Sequence, residues 1–352
     1  MRRLIDFRSD TCTLQPEGML KAMVEAKVGN EEYNDDPTLN ELLDLTCEIM
    51  GKEAAIFTAS GTMGNIVALL SLTNRGDVVI AEAATHLPFH EVSNMAVVGG
   101  LLPKLIKAPL GIMDITDIEA AIPTPRKDSI FYDFTEAKLL VVENAHTWGT
   151  CTTPEQMAAY RKIADKYGLK IHVDGARIFN AAVALGVKPS ELAKDADTLC
   201  FCLSKGLSGP FGGLLVGSKE VISRARYFKQ MLGGGWRQIG YMAACGVYAL
   251  KNMVDRLAED HENAKFLAKK LTKLGIKTDI FPVQINMVYI STPSSLIDLH
   301  EFYKKITMTG EIKINPPDVN NGMLMLRLVT HWGIEKEDIE YFINKVKEAV
   351  NC

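Results

Sequence analysis

The chain has 352 residues, 47% of them hydrophobic and 23% charged, with a formal net charge of −4. These are the proportions of a globular protein of one large unit and a smaller companion, without the basic surplus that nucleic acid demands. No apolar run reaches the roughly 18 residues of a membrane span, and the Arg-rich, acidic first ten residues do not read as a signal peptide. Seven scattered cysteines, at 12, 47, 151, 200, 202, 245 and 352, fit no disulfide framework and suit a reducing cytoplasm.

In chain order, residues 1–15 read as an extended segment with a polar cluster at Arg8-Ser9-Asp10-Thr11. Pro16 opens a helix in its first turn, and Thr38 is placed to cap a second over 39–50. The apolar run 54–58 reads as a buried strand that enters Ser60-Gly61-Thr62 and an apolar helix over 66–73. A strand over 77–81 leads to His86 and a helical stretch reaching about Val98. Strand 138–144, helix 153–167 and strand 170–174 follow, the last ending in Asp174. An alanine-rich helix over 179–185 then leads to the run 197–203, which stops at Ser204-Lys205 before a Gly/Pro-rich turn and the strand 214–216. Continuous apolar runs alternating with helices imply a mostly parallel sheet covered on both faces. From about Lys251 the pattern changes to a long charged helix over 253–274, short strands at 287–290 and 323–329, and a terminal helix over 336–351. The expected organisation is an N-terminal extended segment (1–15), a large domain (16–250) and a small α+β domain (251–352), with the N-terminal segment packing near the small one.

Chemistry gathers at the loop ends of that sheet. Ser60-Gly61-Thr62 sits at a strand-to-helix turn, where free backbone N–H groups and hydroxyls suit an anion. It lacks the lysine of a P-loop and the three glycines of a dinucleotide fingerprint. Asp174 lies beyond a strand's carboxyl end, where open α/β sheets bind ligands, and a carboxylate there can keep a pyridinium nitrogen protonated. His86 follows a strand and can stack on a flat ring. His86 and His90 have i,i+4 spacing beside Glu91, but no third ligand completes a metal site. Lys205 stands among residues suited to burial, the setting of a lysine whose amine is used covalently. An anion turn, a ring-stacking histidine, a strand-end carboxylate and a lysine, in that order, are the parts of a pyridoxal 5'-phosphate (PLP) site.

The chain resembles the threonine aldolase / aromatic amino acid β-eliminating lyase family of fold-type I PLP enzymes. The matching stretches include Asp6-Phe-Arg-Ser-Asp-Thr11, Asn34-Asp-Asp-Pro-Thr38, Ser60-Gly-Thr-Met-Gly-Asn65, Val173-Asp-Gly-Ala-Arg177, Cys202-Leu-Ser204-Lys205-Gly-Leu207, Met231-Leu-Gly-Gly-Gly-Trp-Arg237-Gln238 and Arg327-Leu-Val-Thr-His331. The resemblance implies Lys205 in Schiff-base linkage to the cofactor, Asp174 on the pyridine nitrogen, and His86 stacked on the ring. It implies Ser60, Gly61, Thr62 and Ser204 near the phosphate, with Arg237 reaching that region across a subunit interface. Ser9, Tyr33, Arg177 and Arg327 are implied at the substrate, the arginines on its carboxylate. The implied reaction is cleavage of a small β-hydroxy-α-amino acid to glycine and an aldehyde. The alternative is β-elimination, racemisation or isomerisation on the same cofactor.

Several positions depart from the family pattern, among them Pro88, the Gly149-Thr150-Cys151 turn and Asn34 after Tyr33. Asp133 stands where members usually carry a histidine near the substrate β-hydroxyl, and His90 stands where an aromatic residue is common. Gly233-Gly-Gly235 beside Trp236 is a surface that another chain is expected to cover, giving a homodimer or homotetramer with shared sites.

Overall fold

The apolar runs read from the sequence meet in one large sheet. A computed structural model describes residues 4–123, 135–292, 296–320 and 323–350. In chain order its strands are β1 (Ile5–Asp6), β2 (Ala54–Thr58), β3 (Val78–Glu82), β4 (Leu102–Ile106), β5 (Ala137–Glu143), β6 (Lys170–Asp174), β7 (Thr198–Cys202), β8 (Gly213–Gly217), β9 (Met287–Ile290), β10 (Ile312–Lys313), β11 (Asp318–Asn320) and β12 (Met323–Val329). The large sheet runs β2-β8-β7-β6-β5-β3-β4. Its strands are parallel except β8, which runs antiparallel to both β2 and β7. The carboxyl ends of β3, β5, β6 and β7 therefore open on one edge.

Side chains of one strand alternate between two cores, as the pleat requires. Leu199 and Phe201 of β7 join the core under the helices Pro37–Met50, Pro154–Tyr167 and Gly240–Asn252. Cys200, between them, joins Val67, Ala68 and Ile222 on the opposite face. There the helix Gly61–Leu72 lies hard against β7. A Cβ on Gly64 would come 2.3 Å from Cys200 Sγ, and one on Gly61 would come 2.6 Å from Cys202 Sγ. These two glycines let the helix N-terminus settle onto the sheet edge, and Cys200 and Cys202 are the small residues that receive it.

A second core gathers Ile5 and Phe7 with Leu267, Val288, Phe302, Leu328 and Phe342. Here β11-β12-β9 form an antiparallel sheet, and β1 pairs in parallel with β10. The N-terminal segment is thus built into this core, with the Phe7 and Phe342 rings 5.0 Å apart.

The element limits differ from the sequence reading at several points. The second helix begins at Pro37, and Asp36 rather than Thr38 caps it, accepting the Leu39 N–H at 2.9 Å. Thr38 instead donates to the Lys27 carbonyl. The helical stretch after His86 breaks into His86–Phe89 and Asn94–Val97, because Val92 and Ser93 take left-handed backbone angles (φ 53° and 59°). The charged helix spans Leu257–Thr272, shorter than expected at both ends. Edge strand β4 and the helices Lys219–Met231 and Gly240–Asn252 were not anticipated.

Candidate active site

The floor of the site begins at Asp174. In register across the sheet, Glu143 and Asp174, at the ends of β5 and β6, lie beside Cys200 in the middle of β7. Asp174 is 2% exposed. Its Oδ2 accepts the Asn65 amide at 2.9 Å and its Oδ1 accepts the Ala176 N–H at 3.1 Å. The same Asn65 Nδ2 donates to Glu91 Oε1 at 2.8 Å, so one amide bridges two buried carboxylates. Asn65 Oδ1 is held in turn by His172 Nε2 at 3.0 Å, and His172 Nδ1 meets Thr198 Oγ1 at 2.8 Å. Burial pushes the His172 imidazole down to about 4, so it is neutral and serves as a hydrogen-bonding strut.

His86 closes the network. Its Nδ1 lies 2.9 Å from Glu91 Oε1, and its backbone N–H donates to Glu143 Oε2 at 2.6 Å. The hydrogen bond to Glu91 raises its pKa above the ordinary 6.5; burial opposes this and the Asp174 charge adds to it. Ligand atoms of His86, Glu91 and Asp174 lie within 4.8 Å of one another, but the Asn65 amide already supplies the shared donor that a cation would replace. Burial pushes the Glu143 carboxyl up, against the charges of His146 and Lys205.

Lys205 emerges from the turn after β7, half-buried. The turn is pinned by Gly209 N–H to the Leu203 carbonyl at 2.8 Å and by Ser208, in left-handed conformation (φ 62°), to the Lys205 carbonyl at 2.9 Å. Ser204 lies in the same turn, partly buried. Across from it, Ser60 caps the helix Gly61–Leu72 by accepting the Met63 N–H at 3.1 Å. The first-turn N–H groups of Gly61 and Thr62 have no intrahelical partner and face an anion-binding end.

Arg177 has a partner the sequence did not suggest. Its Nε and Nη2 hold both oxygens of the fully buried Asp10, at 2.7 and 2.6 Å. Burial alone would raise the Asp10 carboxyl, but the Arg177 and Lys205 charges and an Asn286 hydrogen bond hold it below the usual carboxylate range. Asp10 thus occupies the Nε–Nη2 edge of Arg177. Ser9 sits beside that pair, its Oγ accepting the Thr11 N–H at 3.2 Å.

Above the floor opens a cavity of about 760 Å³ lined by His90, Trp148, Tyr289, Asp318 and Arg327 among others. Trp148 stacks on Phe281 with centroids 4.7 Å apart, and Tyr289 meets both rings edge-on. The Tyr289 hydroxyl donates to the Thr147 carbonyl at 2.7 Å. Arg327, on β12, is partly exposed to this space.

Two sequence-predicted residues stand elsewhere on this chain. Arg237 is half-exposed and pairs with Glu32 at 2.7 Å. Tyr33, next to Glu32, is 76% exposed. Asp133 lies outside the described residues. The sequence reading missed Asn65 as a bridge, Glu91 as the partner of His86, and Glu143. Asn65 stood in a quoted motif and Glu91 beside His90, but neither position announces its contacts.

The donors present fit PLP. Both oxygens of Asp174 accept a protein hydrogen bond, yet an ionised carboxylate has capacity for more, which a protonated ring nitrogen would use. Lys205 supplies the amine, His86 a ring face, and the Ser60-Gly61-Thr62 turn an end for phosphate.

This sheet order, with its strand-end aspartate and lysine on one edge, defines a fold-type I architecture, that of PLP-dependent enzymes. A threonine aldolase of Leishmania major superposes with a TM-score of 0.82 at 20% identity, over 98% of this chain and 99% of that one. A serine palmitoyltransferase of Sphingomonas wittichii gives 0.73 at 16%, over 99% and 87%. Within that class the chain belongs to the beta-eliminating lyase family, whose model matches residues 6–293. It is 40% identical to a low specificity L-threonine aldolase of Escherichia coli K12, covering 96% of each chain. It is 36% identical to low-specificity L-threonine aldolase 1 of Arabidopsis thaliana, over 99% of this chain and 97% of the relative.

Proposed function

We propose that this protein is a PLP-dependent aldehyde-lyase that splits threonine or a similar β-hydroxy-α-amino acid into glycine and an aldehyde. The observation that carries the reading is the floor in which one Asn65 amide joins Asp174 to the Glu91–His86 pair beneath the Lys205 turn. Relatives named as L-threonine aldolases along almost the whole chain give it the reaction. Bound PLP supplies an electron sink that stabilises the carbanion left when a bond to Cα breaks.

The protein's residues supply everything else. Asp174, fixed by Asn65 and Ala176, keeps a proton on the ring nitrogen and so preserves the sink. Lys205 would hold the cofactor through its side-chain amine. His86, fixed by Glu91, would cover one face of the cofactor ring. Arg327 would hold the substrate carboxylate and so fix the orientation of the amino acid, with Ser9 as a further polar group for the substrate. The Asp10–Arg177 pair braces the N-terminal segment against the turn that follows Asp174.

The same reading includes a homo-oligomer with shared sites, in which Arg237 reaches a neighbour's phosphate turn. Its support is the exposure of Tyr33, Tyr227 and Met231 on the chain that carries Arg237, at 76%, 69% and 56%. A cytoplasmic setting suits the six free cysteines among the described residues, and no described helix is long and apolar enough to cross a membrane.

The direct test incubates the PLP-loaded protein with a panel of β-hydroxy-α-amino acids and measures glycine and aldehyde. Equimolar release of both from at least one of them is expected. Absence of glycine from every one would overturn aldol cleavage.

A further inference from the structure

His90 stands at the junction of floor and cavity. It follows His86 by one helical turn, with its backbone N–H on the His86 carbonyl at 2.9 Å and the two rings 5.6 Å apart. His86 is tied down by Glu91, whereas no hydrogen bond to the His90 ring is seen among the described residues. The His90 ring lines the 760 Å³ cavity together with Arg327, Tyr289 and Asp318. An amino acid whose carboxylate rests on Arg327 shares this cavity with the His90 ring.

We propose that His90 is the catalytic base that removes the β-hydroxyl proton. This rests on the aldolase reading and deepens it. The step balances within the substrate. The O–H proton passes to the imidazole, the O–H electron pair becomes the second bond of the aldehyde carbonyl, and the Cα–Cβ pair stays on Cα. Cα then takes up a proton, so glycine and aldehyde together hold every atom of the starting amino acid.

The surroundings keep this ring ready to accept a proton. Partial burial of this largely exposed ring comes first, followed by the positive charges of His86 and Arg327, and together they hold His90 below the ordinary 6.5 against the opposing Asp318 carboxylate. These, with Tyr289 across the cavity and Glu91 behind His86, are the titratable and charged groups facing it. The contrast with His86 is physical: one imidazole is bonded to a buried carboxylate, which raises its pKa, while its neighbour has no such bond and is lowered by partial burial and by nearby positive charge. The departure of this chain from the aromatic residue usual at the position is thereby given a use.

The test compares wild type with His90→Phe and His90→Gln, both PLP-loaded. His90 is exposed, so the variants are expected to fold. Cleavage should fall roughly 10²- to 10³-fold in kcat/KM, the range for a lost general base. Exchange of the glycine Cα proton with deuterated water, which needs no β-hydroxyl, should stay within about threefold of wild type. In the cofactor-free protein, histidine NMR should assign to position 90 a titration midpoint below 6.5. The acid limb of the wild-type kcat/KM profile should be missing from both variants. Cleavage within threefold of wild type, or equal loss of glycine exchange, overturns the proposal. A wild type that forms no glycine overturns the parent reading as well.

Discussion

The floor and the mouth of this site are built on opposite terms. The floor is buried and closed: Asp174, Asn65, His172, Glu91 and His86 satisfy one another through hydrogen bonds of 2.8 to 3.0 Å. The mouth is a cavity whose polar groups, His90, Asp318 and Arg327, line open space and are not joined into one closed network. A buried polar network must be complete or it destabilises the fold, so the floor answers to stability and cofactor chemistry together. A mouth half in water carries no such demand, and its residues can vary with the substrate. The departure at His90 falls at the mouth.

Replacing Asn65 with Leu would break the comparison most forcefully. It leaves two buried carboxylates facing each other without their shared donor and strands His172 Nε2. A loss of about 3–4 kcal/mol is expected in urea unfolding of the cofactor-free protein. Loss below 1 kcal/mol would show that the floor is not a structural unit.

Acid should strain the floor before the mouth. His172 has a folded pKa depressed to about 4, so its unfolded form binds a proton first as pH falls below 6.5. Stability is therefore complete above 6.5 and declines between 6.5 and 4, by about 1.4 kcal/mol per pH unit at the steepest. His86 acts in the opposite sense: its pKa is raised, so its contribution is present below 6.5 and fades as pH rises through the raised value. Denaturant titrations across this window should show a shallower acid decline in His172→Gln than in wild type.

Arg327→Met addresses the mouth alone. KM should rise about tenfold or more through loss of a charge-assisted contact, while unfolding changes by no more than about 1 kcal/mol. A variant that loses stability and keeps its KM would place Arg327 in the scaffold.

How much of this could be read in the sequence follows the same line. Asp174, Lys205 and Ser60-Gly61-Thr62 are each local events, a strand ending in a turn, and periodicity exposes them. Asn65 and Glu91 required the helix Gly61–Leu72 to be laid over β6 and β7, a long-range packing that Gly61 and Gly64 permit but do not announce. Arg177 and Asp10 are 167 positions apart, so only the fold could pair them. The mouth draws on segments near residues 84, 90, 148, 289 and 318–327, and no local pattern joins them. Strand β4 was missed because it is an edge strand carrying Pro103 and Lys104 with three of its five residues exposed, so it shows no buried run.

The central claim is that the strand-end lysine over this floor holds the cofactor. Reduction of the PLP-loaded protein with borohydride, followed by peptide mapping, tests it most directly. The account predicts one stable pyridoxyl adduct, on Lys205; an adduct confined to another lysine, or none, would contradict it.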